Sequence, residues 1–141
     1  MGLLFLDDKN ALFDSESGSW CLDRIKALMS DKGIALADTA RRVRRLRGNA
    51  SDKFLEILEP VALEALLAAM PDCRAVVSTG EKAASVIAAL TSTDVPGMGG
   101  MTVDAAGMEI WRMPSSSRAY PLKLERKAEY YAGLFRHLGI L

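Results

Sequence analysis

One histidine, His137, and two cysteines, Cys21 and Cys73, are all the imidazole and thiol ligands this chain has. The cysteines share no metal-type spacing and no histidine cluster accompanies them. No metal site is expected, and the two thiols read as reduced core residues. No apolar run is long enough to cross a bilayer, and no basic segment with an apolar stretch and a small-residue cleavage site opens the chain. The expectation is a soluble, cytoplasmic protein with no membrane partner. Charge of one sign is missing as well: 18 Lys and Arg balance 18 Asp and Glu. A global electrostatic attraction to nucleic acid is therefore excluded. "TGEKAAS" lacks the glycine spacing and terminal Lys-Ser/Thr of a phosphate loop, which argues against nucleotide hydrolysis.

What remains is a chain of 141 residues, half of them hydrophobic, enough for one domain over residues 1–141. "MGLLFLDDKNALF" reads as the tail of an amphipathic helix and a loop, so the chain is expected to begin inside an element. "DSESGS" is a polar loop, and Ser19 is placed to cap a helix carrying Trp20, Cys21, Ile25, Leu28 and Met29 that ends near Gly33. "GIALADTA" reads as a buried strand ending in Asp38 and Thr39. After "RRVRRLR" and the loop "GNASD", Pro60 opens a helix through Leu63, Leu66, Leu67 and Met70 that stops at Pro71. "CRAVVSTG" is a second buried strand, and Gly80 turns it into a helix from Glu81 to Leu90. A Gly-rich connection, "TSTDVPGMGGMTVDAAG", leads to a third strand, "MEIWRMP". Leu124, Ala128, Tyr131, Leu134, Phe135 and Leu138 then share one face of a final helix, with His137 in its last turn, where the helix dipole favours a cation. Trp20 and Trp111 are expected in the core. Strands alternating with helices predict an α/β fold, a short parallel sheet with helices on both faces.

In such sheets ligands sit beyond the carboxyl ends of the strands. That rule gathers Asp38-Thr39, Ser78-Thr79-Gly80 and Pro114-Ser115-Ser116-Ser117-Arg118. Serine hydroxyls and exposed N–H groups are good phosphate ligands, and Arg118 adds a long cation able to enter a groove. The competing reading is a hydroxyl-closed turn that caps the last helix, with Arg118 in solvent. Arg41, Arg42, Arg44, Arg45 and Arg47 form a cluster that suits an anionic partner; a solvated helix face balanced by nearby acids fits it equally. Asp38 reads as a site-edge residue or as a cap, and Asp52 as a cap of the segment after "GNAS".

"MPSSSRAYPLKLERKAEYY" resembles the second signature of the uracil-DNA glycosylase superfamily, nearest its mismatch-specific (thymine/uracil) and hypoxanthine branches. Those enzymes carry a Pro-Ser loop after the last strand, then a helix with a Lys and paired aromatics, here Lys127 and Tyr130-Tyr131. "KGIALADTARRV", "NASD" and "CRAVVSTGEKA" resemble the middle of such enzymes, and the similarity runs from about residue 20 to the C terminus. The resemblance implies removal of a mispaired or deaminated base (uracil, thymine or hypoxanthine) from double-stranded DNA, by extruding the nucleotide and hydrolysing its N-glycosidic bond. It implies no metal and no organic cofactor. It assigns Pro114, Ser115, Ser116, Ser117 and Arg118 to DNA binding, with Arg118 as the wedge in the vacated stack. With them go Arg41 and Arg44 as further DNA contacts, and Asp38 and Ser51 as base-pocket residues. Met113 stands where the uracil-specific branch has histidine, which argues against a uracil-only enzyme.

The superfamily's first signature, a Gly-x-x-Pro-type loop with the water-positioning residue, has no counterpart in the chain. A sheet lacking its first strand and a protein without appreciable cleavage are therefore expected. The open sheet edge could pair with a second copy. The alternatives are a catalytically silent DNA-binding module and an unrelated small-ligand-binding α/β domain.

Overall fold

The computed structural model describes residues 1–46 and 55–141, which fall into two compact units, 1–37 with 122–141 and 38–121. The fold is mixed α/β, with three small sheets among the described residues.

The first unit holds α1 (Gly2–Phe5), β1 (Phe13–Asp14), β2 (Ser19–Trp20), α2 (Leu22–Asp31) and α5 (Leu124–His137). "DSESGS" is the turn of a two-residue hairpin, Phe13 opposite Trp20 and Asp14 opposite Ser19. The Ser17 hydroxyl and the Glu16 N–H both donate to the Asp14 carboxylate and hold its pKa below the usual value. Ser19 therefore does not cap the next helix. It lies in β2, its hydroxyl 2.7 Å from that of Ser17, and α2 starts after Cys21 without a side-chain cap. Trp20 is also not core: it is 65% exposed, edge-on to the Phe13 ring at 5.3 Å. In α5, Lys127, Ala132, Leu134 and Phe135 are buried, and Phe135 meets the rings of Phe5 and Tyr131 at 5.2 and 6.2 Å.

The expected strand over "GIALADTA" is absent. Its first two residues close α2: Gly33, at φ +63°, donates to Ser30 O and Ile34 N donates to Met29 O at 2.8 Å, the paired bonds of a Schellman motif. Ala35 to Asp38 enter no ladder, and Leu36 is 80% exposed; only the last residue, Ala40, joins the strand that follows.

The second unit begins with β3 (Ala40–Arg45), antiparallel to β4 (Leu55–Pro60). The arginine run is thus a strand, and Pro60 ends a strand opposite Ala40 where a helix start was expected. A strand end tolerates a residue with no N–H to donate. The helix α3 (Leu63–Ala68) follows and stops two residues short of Met70. Then β5 (Ala75–Thr79) and α4 (Glu81–Thr91) form as expected. Inside the Gly-rich connection lies β6 (Met101–Val103), a strand the composition hid, antiparallel to β7 (Glu109–Met113). The Asp104 carboxylate accepts the N–H groups of Ala106 and Met108 at 2.8 and 2.9 Å and closes that hairpin. The sheet order is β5-β7-β6, with β5 parallel to β7 and β6 antiparallel, so a single parallel pair replaces the all-parallel sheet expected. Helix α4 lays Ala84, Ile87 and Ala88 into the core with Ile110, Trp111 and Met113. Burying a side chain the size of Ile110 or Met113 stabilises by roughly 1.5–3 kcal/mol. No described helix is long and apolar enough to cross a membrane.

Candidate nucleic-acid interface

Parallel pairing of β5 with β7 sets their carboxyl ends side by side, Ser78 with Arg112 and Thr79 with Met113. The buried Ser78 hydroxyl donates to Trp111 O at 2.8 Å and Gly80 N donates to Met113 O at 2.9 Å, which ties the two strand tips together. Gly80 has φ +103°, and a Cβ on it would lie 3.4 Å from that of Ser115. The turn into α4 and the serine loop therefore touch.

Pro114 is fully buried and anchors the loop, Ser115 is half-buried, and Ser116, Ser117 and Arg118 are exposed. Ser115 Oγ accepts from Ser117 N at 3.3 Å, Ser117 Oγ accepts from Ala119 N at 3.2 Å, and Tyr120 N donates to Ser117 O at 3.2 Å. These are hydroxyl-closed turns, but they close on the loop itself: α5 begins after Lys123 without any side-chain cap. Accepting a bond leaves the Ser115 hydroxyl proton to be donated. Among the described residues the side chains of Ser116 and Arg118 have no hydrogen-bond or ion-pair partner.

Arg112, Tyr120 and Lys82, outside the expected set, tie this end of the unit together. Arg112 reaches from β7 to Glu81 at 3.5 Å and to Pro96 O at 3.3 Å, and its backbone pairs with Gly99 and Gly100. It clamps the Met98 loop to the first turn of α4. The Tyr120 hydroxyl donates to the Met98 sulfur at 3.6 Å, joining that loop to the serine loop. Lys82 donates to Leu55 O, which brings the start of β4 to the same turn of α4. A cation inside the apolar run of β7 was the one signal in the sequence that could have singled out Arg112.

The arginines stand on a different element, the β3–β4 hairpin. Arg41 pairs with Glu59 at 3.5 Å and Arg44 with Glu56 at 3.4 Å, all of them well exposed. Among the described residues, Arg41, Arg42, Arg44 and Arg45 stand on β3 opposite Glu56 and Glu59 of β4. Exposed pairs of this kind are worth about 0–1 kcal/mol, so phosphate can replace the carboxylates at little cost. Asp38 is exposed, outside any strand. Ser51, Asp52 and Arg47 lie outside the described residues.

In the first unit, Lys127 is buried on α5, and burial pushes the Tyr131 hydroxyl up to about 12. An open groove of about 640 Å³ in the same unit is lined by Leu6, Leu12, Leu28, Arg24 and others. Comparison with family models, with curated proteins and with solved structures finds no match to this chain.

Proposed function

We propose that the protein grips double-stranded DNA at a mispaired or deaminated base, in the manner of the mismatch-specific uracil-DNA glycosylases its sequence resembles. The serine loop meets the phosphate backbone and Arg118 fills the gap that an extruded base leaves. The reading rests on one observation: a loop of three small hydroxyl residues, stiffened by its own turns and a buried proline, presents Ser116 and Arg118 unpartnered among the described residues at the paired carboxyl ends of β5 and β7. Small side chains let a backbone approach closely, and a hydroxyl can donate to a phosphate oxygen at any rotation. An unpaired or mispaired base costs least to extrude, a few kcal/mol, so a gap-filling arginine favours such sites. The arginines of β3 add attraction that is independent of sequence. The water-positioning group of the superfamily has no counterpart here, so the proposed activity is recognition, with excision slow or absent.

Titration of duplex DNA against the protein at several salt concentrations tests this. Affinity is expected to fall linearly on a log–log plot, and the Arg41→Gln, Arg44→Gln double variant to lower the slope by about one unit for each phosphate it no longer neutralises. Binding that ignores salt would contradict the reading.

A further inference from the structure

Of the seven methionines, Met1, Met98 and Met101 are the exposed ones, at 40%, 40% and 38%. Exposure therefore does not set Met98 apart from Met101. A hydrogen bond does: Met98 is the one methionine whose sulfur accepts from a side chain, the Tyr120 hydroxyl at 3.6 Å. Both ends of this contact are held. Gly99 N donates to Arg112 O at 2.7 Å, Arg112 N to Gly100 O at 3.1 Å and Gly100 N to Gly97 O at 2.9 Å, and the Arg112 side chain adds a bond to Pro96 O at 3.3 Å. The backbone on either side of Met98 is thereby fixed to β7. On the other side, Tyr120 N donates to Ser117 O and Ala119 N to Ser117 Oγ, each at 3.2 Å. A change at the Met98 sulfur is passed to the serine loop, because neither segment has slack to absorb it.

We infer that Met98 is a site of oxidative modification, and that its sulfoxide tightens the link between the Met98 loop and the serine loop. The oxidant is hydrogen peroxide. A lone pair of the Met98 sulfur attacks one peroxide oxygen, an S–O bond forms and the O–O bond breaks. The other oxygen leaves as hydroxide and takes the proton of the transferred oxygen, giving water. Sulfur loses two electrons and peroxide gains them. A thioether is a weak acceptor, whereas the sulfoxide oxygen is polar and accepts well, so the Tyr120 hydroxyl donates to it in place of the sulfur. At an ordinary O–H···O separation of about 2.7 Å, bent at the sulfoxide oxygen, sulfur and hydroxyl stand about as far apart as they do in the thioether form. Neither loop has to move to make the stronger bond. This switch does not depend on what the serine loop binds.

Treatment of the full chain with hydrogen peroxide, followed by peptide mass analysis, is expected to add about 16 Da at Met98. Hydrogen exchange is then read at the Ala119 and Tyr120 amides of the serine loop. Both are expected to exchange about threefold or more slowly after oxidation. Tyr120→Phe keeps the ring and removes the donor, and Met98→Leu removes the sulfur. Neither variant is expected to show the slowing when treated in the same way, although Met101 is oxidised in both. A Met98 that gains no oxygen while Met101 does overturns the inference. So does loop exchange that is unchanged or faster after oxidation, and so does a Tyr120→Phe variant that slows as much as the native protein.

Discussion

Gly80 carries more of the candidate site than any other single residue. Its φ of +103° belongs to a region only glycine enters freely, and a Cβ there would meet Ser115 at ordinary contact distance. The Gly80→Ala variant is expected to lose about 1–3 kcal/mol of stability, because an L side chain at this φ strains the backbone. Chemical denaturation checks this, and a loss within about 0.5 kcal/mol would show that the turn relaxes without strain. Gly80 was legible in the sequence as the hinge from strand to helix. Its closeness to Ser115 was not, because the two residues are brought together only by the parallel register of β5 and β7. Arg112 was illegible for a related reason. Its partners Glu81 and Pro96 belong to two different segments, and nothing local to β7 announces them.

At the scale of elements, the sequence was most readable where one local signal had no rival. A run rich in β-branched residues ending in Gly gave β5 and α4, and helical spacing of apolar residues gave α5. It misled where two signals met. The glycine and isoleucine that open "GIALADTA" satisfy the end of α2, so Ala35, Leu36 and Ala37 never reach a sheet. Arginine favours helices over strands, yet β3 forms because β4 supplies ladder bonds and glutamates opposite, a tertiary preference that overrides the local one. Helix α5 carries a pH signature of its packing. Burial raises Tyr131 from 10.0 to about 12, so the unfolded chain releases this proton first. Its contribution is intact below pH 10 and is lost as pH rises from about 10 to about 12. Thermal unfolding is expected to show a steeper alkaline loss of stability in the native protein than in Tyr131→Phe. Parallel losses in the two would mean that Tyr131 titrates as it does in water.

For the molecule as a whole, zero net charge and a local surplus of arginine are compatible, because the β3–β4 hairpin concentrates positive charge that acids elsewhere balance. On the proposed reading, long-range attraction to DNA is modest, and a preference among DNA targets comes from the serine loop. That separates two kinds of interaction. Phosphate contacts act alike on every duplex, whereas a wedge acts only where a gap can open. The direct measurement is the affinity of the protein, of Arg118→Ala and of Ser116→Ala for an intact duplex and for the same duplex with a mismatch or an abasic site, at one salt concentration. The account predicts that Arg118→Ala loses about 1–3 kcal/mol on the mismatched or abasic duplex and much less on the intact one, while Ser116→Ala weakens both alike. Equal affinity of the native protein for both duplexes, or an Arg118→Ala variant that loses the same on each, would contradict it.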